Sequence, residues 1–185
     1  MRIIAGKYKR RNLKSLPGND VTRPTGDRIK EGLFNILEQD LTGKRFLDLF
    51  SGSGSVGIEA LSRGADYVIF VEKNKEATKV LQENLDALEV PKDTYRVLCM
   101  DVERLLQTNP QVEPFDVIFA DPPYHLTAWY EKSLSQIFGK DWLAEKGTCI
   151  LEMDVKRSLK EKFGEKHNLF DERHYGKTRL EFWEK

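Results

Sequence analysis

The chain has 185 residues, of which 32% are charged and 39% hydrophobic, and its 30 basic side chains balance 30 acidic ones. This length fits one domain with a substantial core and leaves little room for a two-domain dehydrogenase. No apolar run approaches the roughly 20 residues that span a bilayer, and the N-terminus lacks the apolar stretch of a signal peptide. We therefore expect a cytoplasmic protein with no membrane contact.

The two cysteines, Cys99 and Cys149, lie far apart in the sequence without the spacing of metal ligands. Both fall in strand-like apolar runs, so we predict buried thiols in a reducing compartment. No metal is expected. We also expect a monomer.

Positive charge is concentrated at the N-terminus. Residues 1–30 hold nine Lys or Arg against two acidic residues, whereas the remaining 155 residues carry 21 basic and 28 acidic groups. Apolar residues interrupt the basic run, so we predict a short hairpin of residues 2–5 and 11–14 that presents its cations to a polyanion. A solvated tail is the alternative. The candidate RNA-binding residues are Lys7, Lys9, Arg10, Arg11, Arg23 and Arg28.

A first helix is predicted from Asp27, as its N-cap, to about Gln39, with Lys30 joining the basic cluster at its start. From Lys44 onward, alternating strands and helices are typical of an α/β fold with a mostly parallel sheet. Residues 1–40 and 41–185 are predicted to form one domain, a basic extension and a core. We predict strands at 45–50, 67–72, 95–100, 115–120 and 148–152, helices at 55–63, 74–88, 127–138 and 155–163, and an antiparallel strand pair in 167–183. Asn74 is the predicted N-cap of the second of these helices, and a further short helix is predicted to open at Asp101 and to end at Pro110.

The stretch from Phe46 to Ala60 predicts a buried strand, a glycine turn and a helix. Gly52 and Gly54 can adopt positive φ, which lets a ligand lie close to the backbone. Two cofactors fit such a turn. A dinucleotide would place its pyrophosphate at the helix N-terminus, and S-adenosylmethionine would pack against the same turn. With either one, Glu72 at the end of the second strand can bind ribose hydroxyls.

The motif Asp121-Pro-Pro-Tyr124 follows the buried strand at 115–120 and favours the second cofactor. Because a residue before proline prefers an extended backbone, the Asp121 carboxylate and the Pro122 carbonyl stay outside any helix. Two adjacent acceptors suit an NH2 group, and Tyr124 offers a face for stacking a heterocycle. We predict direct methyl transfer to an exocyclic amine, with Asp121 taking the proton. The amine can be N2 of guanine, N6 of adenine or N4 of cytosine.

Several motifs together resemble one family over essentially the whole chain. The bacterial 16S ribosomal RNA guanine-N2 methyltransferases of the RsmD type are similar in six places: 22–25, 27–28, 33–35, 46–54, 61–65 and 121–124. The resemblance implies a class I, Rossmann-like methyltransferase fold, in which the seven-stranded sheet is mostly parallel and ends in an antiparallel strand. It also implies S-adenosylmethionine as methyl donor and a guanine of 16S RNA as acceptor. We expect the assembled small subunit to be the substrate.

The resemblance assigns roles to residues at the strand ends. The sequence departs mildly from the family at Ser51 and Ser55, where small residues such as Ala are common. The implied cofactor-binding residues are Asp48, Phe50, Gly52, Gly54, Glu72, Lys73, Asp101 and Val102. The implied catalytic, guanine-binding residues are Asp121, Pro122, Pro123 and Tyr124. Three alternatives stay open: amino methylation of another RNA or of DNA, a binding protein without catalysis, and a nicotinamide dehydrogenase.

Overall fold

The computed structural model describes residues 1–16, 26–37, 39–123 and 127–185. Its helices and strands are α1 (Asp27–Ile36), β1 (Arg45–Leu49), α2 (Ser55–Ser62), β2 (Tyr67–Glu72), α3 (Lys75–Ala87), β3 (Tyr95–Cys99), α4 (Val102–Gln107), β4 (Phe115–Ala120), α5 (Thr127–Gly139), β5 (Leu143–Asp154), α6 (Lys160–Phe163), β6 (Asn168–Tyr175) and β7 (Thr178–Glu184). The strands form one sheet in the order β3-β2-β1-β4-β5-β7-β6, in which β7 runs antiparallel to both of its neighbours. The predicted α/β fold is confirmed.

The strand order reverses between β1 and β4, and this reversal locates the candidate site. Leu49 at the end of β1 lies opposite Val71 of β2 and Ala120 of β4. Ala120 in turn lies opposite Leu151 of β5. In open α/β sheets, ligands bind beyond the carboxyl ends of the strands at such a reversal. The segments that follow β1, β2 and β4 therefore converge on one rim.

Each face of the sheet carries its own hydrophobic cluster. One cluster joins Phe46, Phe70 and Phe119 to the helices α1, α2 and α3, and the other joins Leu47 and Ile118 to α4 and α5. The alternation of side chains along each strand explains this division, because neighbouring residues point to opposite faces. β4 is buried along almost its whole length, as its continuous apolar run predicted.

The basic N-terminal segment forms the predicted hairpin, here called the ribbon (residues 1–15). Its two arms are joined by hydrogen bonds from the Ile3 N–H to the Arg11 carbonyl and from the Leu13 N–H to the Met1 carbonyl, both 2.9 Å. Ile3, Tyr8 and Leu13 are buried in the same cluster as Phe46. The ribbon is therefore packed on the sheet-covering helices, and the alternative of a solvated tail is wrong for the described part of the segment.

Glu59 of α2 anchors the ribbon to the core. Its side chain is fully buried and accepts hydrogen bonds from the backbone N–H groups of Ile4, at 2.8 Å, and Ala5, at 3.0 Å. The guanidinium of Arg63 lies 3.0 Å from the same carboxylate. A buried carboxylate needs partners of this kind, since removing it from water unpaired is costly.

Lys30 does not belong to an exposed basic cluster, so that prediction is wrong. Its side chain is fully buried, its ammonium lies 3.7 Å from Glu59, and it donates a 2.7 Å hydrogen bond to the Arg2 carbonyl. Burial lowers the pKa of Lys30, while the charge of Glu59 opposes that change. The sequence pattern could not separate this lysine from its exposed neighbours, because its partner is 29 residues away in the chain.

Two predictions about helix ends are also corrected. Gly26, and not Asp27, occupies the N-cap of α1, since Gly26 has an extended backbone and its carbonyl accepts from the Lys30 N–H at 3.0 Å. The Asp27 carboxylate pairs with Arg2 at 2.7 Å and does not cap the helix. The predicted helix at 155–163 shortens to the four residues of α6. The preceding Ser158 hydroxyl and Leu159 N–H are held by the buried Glu181 carboxylate, which keeps them out of a helix.

The two cysteines differ in exposure. Cys149 is buried in the core, as predicted, and burial raises the pKa of its thiol. Cys99 is exposed, so the prediction of a second buried thiol is wrong. The physical reason is its place in the sheet: it ends β3, which is an edge strand and has a neighbour on one side only.

In the described part of the chain, no helix is long and apolar enough to cross a bilayer. The same residues contain no group of three or more His, Cys, Asp or Glu side chains arranged to hold a metal ion.

Candidate active site

A tight turn connects β1 to α2 and is here called the cofactor loop (residues 50–54). Gly52 and Gly54 have φ of +54° and +87°, in the left-handed region that the sequence predicted for them. The Gly54 N–H donates a 2.8 Å hydrogen bond to the Ser51 carbonyl and so closes the turn. Phe50 also has a positive φ, and its ring packs edge-on against Trp129 with 4.8 Å between the ring centroids.

The two glycines of the loop should differ in their tolerance of alanine. At both positions a left-handed backbone costs an alanine roughly 1–2 kcal/mol. At Gly54 a Cβ would also lie 2.2 Å from Leu81 Cδ1, whereas at Gly52 it would meet no described atom within 4 Å. We therefore expect Gly54→Ala to lower the free energy of unfolding, measured in urea, by about 1–3 kcal/mol more than Gly52→Ala, because its methyl group overpacks the core. Equal losses for the two variants would contradict this packing.

Asp48 connects β1 to α2 beneath the loop. Its carboxylate is 1% exposed and accepts a 2.8 Å hydrogen bond from the Gly57 N–H. Burial raises the pKa of Asp48 to about 7, the Gly57 hydrogen bond opposes this rise, and the charge of Glu72 adds to it. Asp48 therefore titrates near neutral pH as a structural support of the loop.

This titration predicts a pH dependence of stability. Because the folded pKa of Asp48 lies above its ordinary value of 3.8, the stability that its protonated form contributes is complete below pH 3.8 and is lost as the pH rises through about 7. We expect Asp48→Asn, which does not titrate, to lose less unfolding free energy than wild type between pH 5 and 8. Urea unfolding at both pH values measures this difference, and equal pH dependences would refute it.

Glu72 lies at the end of β2 with its carboxylate fixed by two backbone groups. One oxygen accepts from the Gly52 N–H at 2.9 Å, and the other accepts from the Asn74 N–H at 2.8 Å. Each carboxylate oxygen can accept more than one hydrogen bond, so capacity remains for two neighbouring hydroxyls. Asn74 in turn caps α3 through the N–H groups of Glu76 and Ala77, as predicted.

The other residues proposed for a cofactor lie at the ends of β2 and β3. Asp101 caps α4 by accepting from the N–H groups of Glu103 and Arg104, so one of its oxygens has a structural role. Val102 is 2% exposed and fixes the first turn of α4 in the core. Lys73 is exposed beside Glu72.

Two serines at the loop suggest that a polar ligand fits there. The hydroxyls of Ser51 and Ser55 are buried, and neither has a hydrogen-bond partner among the described residues. Unpaired buried hydroxyls are costly, and a polar ligand in the loop would satisfy them. These serines were not predicted as site residues, because they stand where the family that the sequence resembles commonly has small residues such as Ala.

Asp121 follows β4 at the same rim and is partly buried, next to the buried Pro122 and the exposed Pro123. Burial raises its pKa well above the ordinary value, and the charges of Glu152 and Asp48 raise it further. Glu152 lies beside Asp121 because the residues before them, Leu151 of β5 and Ala120 of β4, are paired in the sheet. Tyr124 lies outside the described residues, as does Arg23.

Glu152 also lies at the candidate site, although it was not predicted from the sequence. It is 4% exposed and lies in β5 next to the end of β4, where its charge raises the pKa of the Asp121 carboxyl. Its position in a predicted strand that ends at the rim was the available signal. The pairing of that strand with β4, which was needed to select it, could not be read from the sequence.

The ribbon carries exposed cations at a distance from the cofactor loop. The Lys7 N–H binds the Ser62 carbonyl at the far end of α2 from the loop, which is about 12 Å for a helix of eight residues. Arg11 is partly committed, since its guanidinium donates to the Ala87 carbonyl at 2.9 Å. The exposed candidates are Lys7, Lys9, Arg10 and Arg11 of the ribbon and Arg28 of α1.

Comparison with known proteins gives matches over nearly the whole chain. A family model described as Conserved hypothetical protein 95 matches residues 1–184. YlbH of Bacillus subtilis is 40% identical over 166 residues, which are 89% of each chain. Ribosomal RNA small subunit methyltransferase D of Haemophilus influenzae is 38% identical over 160 residues, 86% of this chain and 81% of that protein. The solved structure of yhhF from Escherichia coli has a TM-score of 0.85 and 29% identity over 99% of this chain and 96% of that chain.

Proposed function

We propose a specific reaction for this chain, which belongs to the same family as ribosomal RNA small subunit methyltransferase D. In this reaction the protein transfers a methyl group from S-adenosylmethionine to N2 of one guanine in 16S ribosomal RNA. The observation that carries this proposal is the arrangement at the rim. Asp121, a carboxyl with raised pKa, follows β4 directly beside the glycine turn that follows β1. The glycine turn can bind the methyl donor while Asp121 holds the amine that accepts the methyl group.

The residues of the rim suit S-adenosylmethionine, which supplies an electrophilic methyl group on its sulfonium. Glu72 presents a fixed carboxylate for the two ribose hydroxyls. Ser51 and Ser55 present buried hydroxyls for polar groups of the methionine part. Asp101 and Val102 border the space for the adenine. Because the loop backbone is already ordered by hydrogen bonds, little ordering remains to be done when the cofactor binds.

Asp121 and Pro122 act on the amine. A guanine N2 group has two hydrogens, one for the Asp121 carboxylate and one for the Pro122 carbonyl. Held in this way, the nitrogen lone pair is released from the ring and directed at the methyl group, so positioning supplies much of the acceleration. The nitrogen becomes acidic as its bond to the methyl carbon forms, and its proton passes to the Asp121 carboxylate. The raised pKa of Asp121 favours this transfer.

The ribbon is proposed to bind RNA phosphates while the target base enters the rim. A base must leave its stack to reach a buried site, and it is most easily extruded from a single-stranded loop. The roughly 12 Å between the cofactor loop and the far end of α2 requires that the bound RNA extend along this helix. Amine acceptors in DNA or in another RNA are the alternatives, and the family of the chain favours 16S RNA over them.

Neutralising the ribbon should weaken RNA binding and its dependence on salt. We expect the triple variant Lys7→Ala, Lys9→Ala, Arg10→Ala to bind 16S RNA at least tenfold less tightly, with a shallower slope of log affinity against log salt. Filter binding at 50 and 200 mM KCl measures both quantities. A triple alanine variant of Lys160, Lys162 and Lys166, which are exposed in and just after α6 on the face of the sheet opposite the ribbon, is the charge-matched control. Equal affinities for the two triple variants would contradict the assignment.

The proposed function is tested by incubating the protein with labelled S-adenosylmethionine and small ribosomal subunits from cells that lack its gene. Nucleoside analysis of the RNA should then give labelled N2-methylguanosine. Free 16S RNA, other RNAs and DNA serve as parallel substrates. Label in a different nucleoside, or none in small subunits and 16S RNA, would overturn the proposal, and equal activity on free RNA would overturn the preference for the assembled subunit.

A further inference from the structure

The side chain of Asn84 joins the cofactor loop to the ribbon. Asn84 lies in α3 and is 3% exposed. Its amide nitrogen donates to the Ser53 carbonyl at 3.0 Å and to the Lys14 carbonyl at 3.1 Å, while its amide oxygen accepts from the Lys14 N–H at 2.8 Å. One buried amide therefore contacts the loop on one side and the end of the ribbon on the other.

Ser53 lies in the cofactor loop between two glycines of positive φ, outside any regular secondary structure that would fix its carbonyl. α3 already packs closely on this point, because the Leu81 side chain would lie 2.2 Å from a Cβ on Gly54. Asn84 lies three residues further along α3. Its hydrogen bond to the Ser53 carbonyl fixes the orientation of that carbonyl as well as its distance from α3, because hydrogen bonds are directional.

We infer that Asn84 is a positioning residue for the cofactor, which sets the Ser53 carbonyl and so holds the cofactor loop ready for S-adenosylmethionine. Asn84 acts through Ser53 and touches no part of the cofactor itself. The inference rests on the proposed function only in taking S-adenosylmethionine as the cofactor of the loop. A loop that loses this support must be ordered during binding, and affinity falls accordingly.

Two variants remove the loop contact. Asn84→Ala removes all three hydrogen bonds. Asn84→Asp keeps the acceptor for the Lys14 N–H but replaces the donor to the Ser53 and Lys14 carbonyls with a second acceptor, so both of these contacts become repulsive when the carboxyl is ionised. The effect of a weakened ribbon contact by itself is measured with a third variant, which leaves the loop untouched. If the alanine variant fails to fold, the aspartate variant still tests the inference, because its size is unchanged.

Ser62→Ala is the matched control for a purely structural role. The Ser62 hydroxyl is also buried and also anchors the ribbon, accepting from the Tyr8 N–H at 2.9 Å and donating to the Ala5 carbonyl at 2.5 Å. It lies at the end of α2 remote from the cofactor loop. Its loss should lower the midpoint of thermal unfolding without changing cofactor affinity.

The experiment measures binding of S-adenosylhomocysteine by isothermal titration calorimetry at pH 8, together with thermal unfolding. We expect Asn84→Ala to raise the dissociation constant about tenfold and Asn84→Asp to raise it further, whereas Ser62→Ala leaves it within twofold of wild type. Folded Asn84 variants with wild-type affinity would overturn the inference alone. Wild-type protein that fails to bind S-adenosylhomocysteine would overturn the proposed function and the inference together.

Discussion

Asp121→Asn should reduce the rate of methyl transfer by about 10³-fold while leaving cofactor affinity almost unchanged. Asparagine keeps the shape of the side chain but cannot take the proton that the methylated nitrogen must lose, and removal of a proton acceptor typically costs 10²–10⁴-fold. The measurement is single-turnover transfer of labelled methyl to small ribosomal subunits. Calorimetric binding of S-adenosylhomocysteine gives the cofactor affinity of the same samples.

The pH dependence gives a second readout of the same group. Because burial and two neighbouring carboxyls raise the pKa of Asp121, its proton-accepting form increases as the pH rises through that pKa. The wild-type rate should therefore rise with pH, and the rate of the asparagine variant should stay flat. Asp116→Asn, at the opposite end of β4, is the matched control and should follow wild type. A tenfold loss or less in Asp121→Asn would exclude Asp121 as the proton acceptor.

Glu59→Ala should lower the free energy of unfolding by about 3–5 kcal/mol, the range found when one partner of a buried ion pair is removed. The change leaves Lys30 and Arg63 buried beside each other without their carboxylate. It also leaves the Ile4 and Ala5 N–H groups without the acceptor that holds the ribbon. Urea unfolding at neutral pH measures the loss.

The matched control for Glu59 is Glu83→Ala, which removes a carboxylate that pairs with Lys14 at the surface. Exposed pairs contribute little because water screens them, so this variant should unfold close to wild type. If Glu59→Ala were as stable as Glu83→Ala, the buried cluster would not anchor the ribbon. Limited proteolysis offers an independent check, since a released ribbon should be cut faster than the folded core.

The order of helices and strands was predictable because each element has a strong local pattern. β2 and β4 have the predicted bounds, since apolar runs between turn residues mark both ends. The N-caps Asn74 and Asp101 were likewise predictable, because a cap is made within three residues of its partner N–H groups. Glycine at the sharp β1–α2 turn follows from the same local geometry.

Features that depend on distant partners could not be predicted. Glu59, Asn84 and Lys30 look like ordinary helix residues in sequence, and their roles come from contacts with the ribbon. Asp27 met the pattern of an N-cap but pairs instead with Arg2, which the hairpin brings to it. The candidate site shows the same division: Asp121 and Glu72 stand out in motifs, whereas Glu152 is recognised only once the pairing of β4 and β5 is known.

The contrast between the two cysteines makes the protein suitable for site-selective labelling. Cys149 is enclosed in the core and its raised pKa keeps it in the unreactive thiol form, so a maleimide dye should attach at Cys99 alone. Cys99 lies opposite Glu72 in the sheet and two residues before Asp101. A fluorophore at this position should sense the polarity of the rim beside Asp101, the proposed adenine side, and so report cofactor exchange in real time without any mutation.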